Sequence, residues 1–207
     1  MSDDHQRVAL VTGGGRGVGA EVVRGLAARG YAIAIHCHAS LREARELAAQ
    51  IEAAGGRAFA VTANFREEGA VRAMMHRVLD HFGRLDVVAG CARLWRPVAL
   101  HDLTTRDLLA HYEVNVFGLF FVVQEALTVM LSQPEGGTII ACASSNEPQP
   151  GDLAFATSQA AIPAFIATLA AEHPKVHTAC VLTPDSQPDA ERAAAILTRI
   201  DASLPAA

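Results

Sequence analysis

The hydrophobic residues of this chain occur in short runs that alternate with longer segments of helical spacing. The first run, from Val8 to Val11, is uninterrupted, which is typical of a strand buried on both faces. A glycine-rich turn follows, and from Ala20 to about Gly30 the sequence has the mixed apolar and polar spacing of a helix. The start of the chain therefore predicts a strand, a glycine loop and a helix.

The same alternation continues along the rest of the chain. We predict further strands at 31–37, 58–62, 85–89, 138–142 and 176–182, and further helices at 41–54, 67–82, 104–131, 152–171 and 189–200. Strands that alternate with helices form parallel sheets with helices on both faces. The pattern predicts an α/β fold over residues 1–207, a single Rossmann-like doubly wound parallel sheet of about six strands.

Two of the predicted helices carry almost no charge. The middle of one, from Val114 to Val123, and most of the next, from Ala154 to Ala171, are apolar on every side. A helix of this kind is buried on more than one side. We therefore expect these helices to pack against another subunit, as in a homodimer.

Composition and charge exclude several classes of function. The chain is 51% hydrophobic and has a formal net charge of -5, so neither a disordered protein nor one with a basic stripe for nucleic acid fits. We identify no apolar run of membrane-spanning length, and the polar start from Met1 to Arg7 lacks the apolar core of a secretory signal. We expect a cytoplasmic protein that binds neither nucleic acid nor a membrane.

The cysteines of the chain are scattered, without the paired spacing of metal ligands. We expect buried free thiols, and neither a metal site nor a disulfide framework. The residues concerned are Cys37, Cys91, Cys142 and Cys180.

The glycine loop carries the strongest chemical signal. Its spacing, Thr12-Gly13-x-x-x-Gly17-x-Gly19, aims free backbone N–H groups and a helix dipole at one point, which suits a phosphate. Glycine permits both the close approach of a ligand and positive φ angles. A glycine cluster alone is weak support, but this one follows a buried strand within the first β-α-β unit, which favours a nucleotide site.

Four motifs in this order resemble the short-chain dehydrogenase/reductase family. They are the glycine loop, Gly83-Arg-Leu-Asp-Val87 before the fourth strand, Asn115-Val-x-Gly118 in the long helix, and Gly137-x-Ile-Ile-x-x-x-Ser144 on the fifth strand. The resemblance covers nearly the whole chain and implies a nicotinamide dinucleotide bound across the carboxyl ends of the strands. Another nucleotide-binding doubly wound domain is the alternative.

The resemblance also bears on the choice of cofactor. Relatives that prefer NAD place an acidic residue at the end of the second strand, whereas residues 36–40 are His-Cys-His-Ala-Ser. We therefore favour NADP(H) over NAD(H), with Arg16, Ser40 and, less directly, Arg42 near the 2′-phosphate. His36 and His38 either bind a ligand or only cap the end of the strand. A protein that binds no cofactor is the remaining alternative. The expected cofactor-binding residues are Thr12, Gly13, Arg16, Gly17, Val18, Gly19, Ser40, Asn64 and Gly90.

The chemistry of the family uses four side chains. A Tyr acts as general acid, a Lys lowers the Tyr pKa, a Ser binds the substrate oxygen and an Asn supports a water molecule. Asn115 and Ser144 match the last two, whereas Phe155 and Gln159 stand at the Tyr and Lys positions. Phenylalanine has no proton to donate and glutamine has no charge, and Ser158, a nearby hydroxyl, is a poor acid.

Further departures from the family pattern follow the same trend. Arg93 stands where a glycine is expected after the fourth strand, Asn64 replaces an Asp, and Asp185 replaces the glycine after Pro184. After Pro184 the sequence has no substrate-covering segment and no seventh strand, so the chain is short at its carboxyl end and one sheet edge is open. We expect the tail or a partner chain to cover this edge.

The leading interpretation is a member of the family that is catalytically degenerate for carbonyl reduction and acts as a nucleotide sensor or as a non-catalytic subunit, in a homo-oligomer or beside an intact relative. The alternative is an NADP(H)-dependent oxidoreductase that acts on an activated carbonyl or imine with Ser144, Asn115 and water. A third interpretation is a lyase or cyclase that uses Ser144, Cys142 or Cys91.

Overall fold

Six parallel strands form one sheet at the centre of the molecule. The computed structural model describes residues 6–147 and 149–203. The strand order is β3-β2-β1-β4-β5-β6, which confirms the predicted doubly wound, Rossmann-like architecture. The strands are Val8–Thr12 (β1), Ala32–Cys37 (β2), Ala58–Thr62 (β3), Val87–Gly90 (β4), Gly137–Ser144 (β5) and Val176–Thr183 (β6).

Helices follow the strands in the predicted alternation. The segment predicted as one long helix contains a π-helical turn at Glu113–Phe117, which joins α4 to α5 and carries Asn115. Helix α1 begins at Gly17 rather than Ala20, because glycines of the loop form its first turn and pack against Gly13. The helices are Gly17–Ala28 (α1), Leu41–Ala53 (α2), Glu68–Phe82 (α3), Thr105–Tyr112 (α4), Gly118–Ser132 (α5), Leu153–Glu172 (α6) and Asp189–Asp201 (α7).

Both faces of the sheet are covered. Along β1, Val8 and Leu10 pack into a core with α3, α5 and α6, while Ala9 and Val11 pack into a second core with α1, α2 and α7. Successive side chains of a strand point to opposite faces, so a strand between two cores must be apolar at every position. This explains the uninterrupted hydrophobic run and confirms that β1 is buried on both faces.

Two helical segments are long and apolar enough, by length and composition, to cross a membrane. They are Thr105–Ser132 and Leu153–Glu172, so the expectation that no segment reaches this length is wrong. Such a pair is weak support for a membrane protein, because the core helices of a soluble domain have the same composition. Both segments pack on the sheet through α5 and α6, and we interpret them as core helices.

The two ends of the sequence bear on other expectations. Of the polar start from Met1 to Arg7, residues 1–5 lie outside the described residues, as do residues 204–207. Within the described chain, β6 lies at an edge of the sheet and pairs with β5 alone. Its residue Leu182 is 53% exposed.

Candidate functional site

A cleft of about 680 Å³ lies across the carboxyl ends of the strands. It is centred where β1 pairs with β2 on one side and β4 on the other, the position at which doubly wound sheets form a crevice. Thr12 and Gly90 lie just beneath it, in a small adjoining cavity. The predicted cofactor-binding residues that line the cleft are Gly13, Arg16, Gly17, Val18, Gly19, Ser40 and Asn64.

The glycine loop is closely packed. Gly13 has φ +65°, and a Cβ atom there would lie 2.8 Å from the backbone Cα of Ala92. A Cβ on Gly19 would collide with the carbonyl oxygen of Gly13. Real Cβ atoms do not approach backbone so closely, so Gly13 is required for both its left-handed conformation and the lack of space, and Gly19 for the lack of space alone.

The N-cap residue of α1 does not cap the helix with its side chain. Arg16 makes no side-chain capping bond and the first turn contains no acid, although Asp189 of α7 lies nearby, with its Oδ2 atom 3.5 Å from a Cβ placed on Gly17. Helix α4 differs, because Thr104 and Asp107 form a complete capping box. The first N–H groups of a helix have no intrahelical acceptor, so α1 presents free donors and the positive end of its dipole to the cleft.

Two buried side chains hold the loop in place. The hydroxyl of Thr12 accepts hydrogen bonds from the backbone N–H groups of Cys91 and Ala92, both at 3.1 Å, and thereby ties β1 to the end of β4. His36 Nδ1 accepts from the Gly13 N–H at 3.3 Å, so Nε2 carries the proton that faces the Ala63 carbonyl. Burial lowers the pKa of His36 to about 4. His36 therefore supports the loop as a neutral imidazole.

The predicted 2′-phosphate residues have different surroundings. Arg16 and Ser40 both line the cleft, and Ser40 lies against Gly15. Arg42 pairs with Glu43 and Glu46 on its own helix and does not line the cleft.

Asn64 lines the cleft at the end of β3, but its amide is also used locally. The Nδ2 group donates to Glu67 at 2.7 Å, and Oδ1 accepts from the Arg66 N–H at 3.2 Å. Asn64 therefore stabilises the turn that leads into α3 as well as facing the cleft.

Arginines outnumber acids in the lining of the cleft. Five arginines line it, against a single acidic residue, Asp189, although two of them pair with Asp185 and one with Glu113, acids that lie just outside the lining. A site with this balance attracts a ligand that carries several negative charges. The arginines are Arg16, Arg66, Arg93, Arg96 and Arg192.

At the opposite end of the cleft, Ser144 is held by two residues. Its backbone N–H donates to Gln159 Oε1 at 2.9 Å, and its hydroxyl donates to Asp185 Oδ2 at 3.1 Å. Gln159 is 4% exposed and comes from the helix that follows β5. The side chain at this position thus fixes the backbone of Ser144 by a neutral hydrogen bond.

Asp185 is the centre of a polar network that the sequence did not predict. Its Oδ1 atom pairs with both Arg93 and Arg192, the latter at 2.7 Å. Its Oδ2 atom accepts from Asn146 Nδ2 at 2.9 Å as well as from Ser144. The arginine and the acid that depart from the family pattern therefore neutralise each other across the cleft.

Asn115 lies behind the cleft and is 2% exposed. Its amide is fully engaged, since Oδ1 accepts from the Leu94 N–H at 2.6 Å and Nδ2 donates to the Leu94 carbonyl and to Ser158. Ser158 is completely buried and donates to the Phe155 carbonyl. Neither side chain reaches a substrate in this arrangement, and the Asn115 side chain instead positions the loop after β4.

Phe155 is 5% exposed and lies beneath two side chains of the same loop. The Trp95 ring is 6.3 Å away and the Arg93 guanidinium 6.0 Å away, measured to the Phe155 ring centroid. Phe155 therefore packs beneath the loop after β4 rather than lining the cleft.

The cysteines are free, as expected, but three of them are only partly buried. Cys37 is buried, whereas Cys91, Cys142 and Cys180 are intermediate in exposure. Within the described part of the chain, no group of three or more metal-ligating side chains occurs.

Sequence reasoning missed Asn146 and Arg192 at this site. Both take part through Asp185, and Arg192 comes from the amino-terminal part of α7. The signal that could have found Arg192 is its position, because a charged residue on the buried face of an amphipathic helix needs a partner.

The strand order and the cleft define a protein of the doubly wound class with a crevice at the carboxyl ends of its strands. The sequence profile described as short chain dehydrogenase matches residues 7–189. The chain is 34% identical over 176 residues to versicolorin reductase 1 of Aspergillus parasiticus, which covers 82% of this chain and 66% of that protein. The chain belongs to the short-chain dehydrogenase/reductase family.

Solved structures agree with this assignment. A short-chain dehydrogenase/reductase from Serratia marcescens superposes with a TM-score of 0.87 at 26% identity, covering 97% of this chain and 94% of the other. A short chain dehydrogenase from Burkholderia cenocepacia in complex with NADP gives 0.79 at 32% identity, covering 91% and 82%.

Two points follow from the comparisons. This chain aligns with less than two thirds of the length of versicolorin reductase 1. The curated relative is a reductase, so the comparisons do not support the catalytically degenerate interpretation and agree better with the oxidoreductase alternative.

Proposed function

We propose that this chain binds NADP(H) in the cleft and works as an oxidoreductase on an activated carbonyl or imine substrate. The observation that carries the proposal is the uncapped amino terminus of α1 beside a glycine loop in a cleft lined by five arginines. The NADP complex of the Burkholderia cenocepacia structure supports the same ligand class.

The described residues fit a dinucleotide. Glycine at positions 13 and 19 lets the loop pack closely against Ala92 and on itself, and the first N–H groups of α1 would hold a pyrophosphate. The cleft volume of about 680 Å³ is within the range of cofactor sites.

The choice of NADP(H) over NAD(H) rests on charge at the end of β2. The segment from His36 to Ser40 contains no acid to accept hydrogen bonds from ribose hydroxyls, and Arg16 and Ser40 line this part of the cleft. A guanidinium and a hydroxyl suit a phosphate better than a diol.

The bound reduced nicotinamide would supply the hydride. Ser144 would then hydrogen-bond the substrate, because its hydroxyl can accept from the N–H of a protonated imine while it donates to Asp185 Oδ2, or can turn from Asp185 to donate to a carbonyl oxygen. Gln159 holds the backbone of Ser144, and Asn115 holds Leu94. Phe155, at the position of the family's Tyr, has no proton to donate.

The missing proton donor limits the substrate. We take Phe155 and Gln159 to occupy the positions of the family's Tyr and Lys. General acid catalysis contributes about 10² to 10⁴ in rate, and without it the proton must come from water or already be on the substrate. A protonated imine meets this requirement, and a carbonyl activated by electron-withdrawing groups meets it in part.

Calorimetric titration with NADPH and NADH tests the cofactor. We expect micromolar binding of NADPH and weaker binding of NADH. Arg16→Ala should reduce NADPH affinity about tenfold, because a charged hydrogen bond is lost, with little change for NADH. Arg24→Ala is the matched control, since Arg24 also lies on α1 but pairs with Glu21 and does not line the cleft. Failure of both dinucleotides to bind would refute the proposal.

A second experiment tests the chemistry. The wild-type protein should oxidise NADPH with a cyclic imine or a 1,2-diketone and leave simple ketones unreduced. The double variant Phe155→Tyr with Gln159→Lys should raise the rate with ketones by about 10² or more. Gln159→Lys alone, which adds the charge without the acid, is the control. NADPH binding without turnover in any variant would favour a non-catalytic nucleotide sensor.

We also propose that the chain is cytoplasmic and forms an oligomer through α5 and α6. The partner is a second copy of this chain or a relative that keeps the catalytic residues. Large apolar side chains stay exposed along these helices and the π-helical turn, namely Phe117, Phe120, Leu131 and Leu153. Light scattering at micromolar concentration should give a dimer or larger species, and a monomer would refute this part of the proposal.

A further inference from the structure

Two cysteines lie in contact on the floor of the cleft. The Sγ atoms of Cys91 and Cys142 are 3.4 Å apart. Both residues line the cleft and both are intermediate in exposure. Neither takes part in the dinucleotide contacts or the substrate contacts proposed above.

The strand register brings the two residues together. Gly90 in β4 pairs with Ala141 in β5, so the next residue of each chain segment, Cys91 and Cys142, lies directly opposite. Adjacent strands are about 4.8 Å apart, and the two Cα atoms of a disulfide are usually about 4.4 to 6.8 Å apart. A bond between these sulfurs therefore requires side-chain movement without a change in strand pairing.

We infer that Cys91 and Cys142 form a redox modification site, a dithiol that closes to an intrachain disulfide when a peroxide enters the cleft. The disulfide itself is independent of the proposed function. Its effect on dinucleotide binding, described below, rests on that function.

The oxidation proceeds in two balanced steps. In the first, the Cys91 thiol attacks hydrogen peroxide, a sulfur–oxygen bond forms, the oxygen–oxygen bond breaks, and water leaves a sulfenic acid on Cys91. In the second, the Cys142 thiol attacks Cys91 Sγ, the disulfide forms, and a second water leaves. One peroxide is reduced to two waters as two thiols are oxidised.

The roles of the two thiols differ. The hydrogen bond to Cys91 and burial raise the pKa of the Cys142 thiol well above its ordinary value. Cys142 is therefore the poorer nucleophile and serves as the resolving thiol, while Cys91, at the loop after β4, is the thiol that attacks the peroxide.

The disulfide would affect both ends of the cleft. The backbone of Cys91 lies against Gly13 and donates its N–H to Thr12, and Cys142 precedes Ser144 by two residues on β5. Drawing the sulfurs from 3.4 Å to about 2.05 Å shifts the loop that packs under the glycines. A bound dinucleotide would in turn cover the thiols, so binding and oxidation should oppose each other.

Cys180 provides a matched control. It lies on β6, where it pairs with Ala141 of β5, the residue before Cys142. Its side chain packs into the core on the other face of the sheet, whereas Cys91 and Cys142 pack against the core with α1, α2 and α7. Cys180→Ser should therefore leave disulfide formation intact, although it removes one thiol.

The test oxidises the reduced full-length protein with hydrogen peroxide and counts free thiols after denaturation. We expect a fall from four to two and a cross-linked Cys91–Cys142 peptide by mass spectrometry. Cys91→Ser and Cys142→Ser should each abolish the cross-link, and Cys180→Ser should retain it. Sulfinic acid at Cys91, or cross-links between molecules in place of the internal one, would overturn the inference.

The same assay with NADPH tests the coupling. If binding and oxidation exclude each other, NADPH at ten times its dissociation constant should slow cross-linking about tenfold. An unchanged rate in protein that calorimetry shows to be saturated would overturn the coupling. A cross-link in protein that binds no NADPH would refute the proposed function and leave the disulfide inference standing.

Discussion

The two ends of the cleft are built from different groups. At the glycine-loop end, formed by the carboxyl ends of β1 to β3, backbone atoms make the contacts, as in the Gly14 N–H bond to the His36 carbonyl at 2.8 Å. At the serine end, formed by the carboxyl ends of β4 to β6, side chains bind side chains around Asp185. The first end matches the family pattern closely and the second departs from it.

This difference has a physical reason. A site made of backbone groups depends on glycines and on chain geometry, so most changes in it disturb the fold itself. A site made of side chains can change its chemistry while the strands stay in place. We therefore expect substitutions at the glycine-loop end to affect stability or dinucleotide affinity, and substitutions at the serine end to affect chemistry and local charge.

The largest expected effect concerns the pH dependence of His36. Its folded-state pKa is about 4, lowered from 6.5 by burial, so the unfolded chain binds a proton that the folded protein does not. Stability from this group is complete above pH 6.5 and is lost as the pH falls towards 4, up to about 3 kcal/mol. His36→Asn keeps an acceptor near the Gly13 N–H and removes the titration.

Urea unfolding at pH 7 and pH 4.5 measures this effect. The wild-type protein should lose more free energy of unfolding between these pH values than His36→Asn does. Phe65→Leu removes the ring stacked on His36 at 4.2 Å. The stability lost through packing should be about the same at both pH values, so this variant distinguishes packing from titration. Equal losses in wild type and His36→Asn would contradict the prediction.

A somewhat smaller effect is expected from Gly13→Ala. The new methyl group meets the Ala92 backbone at 2.8 Å, and the residue must keep φ +65°. We expect NADPH affinity to fall about a hundredfold, because the loop must move away from the phosphate position. Gly30→Ala has a similar angle, φ +82°, with no atom within 4 Å.

Gly30→Ala therefore isolates the backbone cost, about 1 kcal/mol of stability, without the collision. Calorimetry and thermal unfolding of both variants distinguish the two contributions. If Gly30→Ala weakens NADPH binding as much as Gly13→Ala, close packing of the loop is not what the ligand requires.

The smallest of these effects is expected at the serine end. Asp185→Asn removes the charge that pairs with Arg192, whose side chain is 7% exposed. We expect the free energy of unfolding to fall by about 2 kcal/mol, since a nearly buried guanidinium loses its partner. Asp201→Asn is the control, because the Arg29–Asp201 pair is exposed, at 38% and 46%, and should contribute under about 1 kcal/mol.

Chemical denaturation at pH 7 measures both variants. Equal effects of Asp185→Asn and Asp201→Asn would mean that solvent screens the Asp185 network as it screens a surface pair. A loss confined to Asp185→Asn would support a stabilising role for the residues that differ from the family pattern.

The elements of the fold were predictable because they depend on neighbouring residues. Alternating apolar runs and helical periodicity located the strands and the main helices, and the predicted 58–62 strand coincides with β3. Errors occurred where tertiary packing overrides local preference. The glycines in the first turn of α1 and the π-helical turn at Asn115 have no local signal that periodicity can detect.

The candidate site was predictable in part. The glycine loop could be located from its motif, since the residues that form it are adjacent in sequence. The sequence does not show that Glu43 and Glu46 pair with the guanidinium of Arg42, which was expected near the 2′-phosphate. The sequence also does not show that the Asn115 amide, expected to support a water molecule, is hydrogen-bonded to Leu94 and Ser158.

By itself, the sequence determined the order of strands and helices, the two-faced burial of β1 and the position of the glycine turn, because these follow from the spacing of nearby side chains. The tertiary structure alone decided which distant groups meet. Arg93 and Asp185 are 92 residues apart, and Cys91 and Cys142 are 51 residues apart. Their contacts arise because parallel strands bring their carboxyl ends to one edge of the sheet, whatever the length of chain between them.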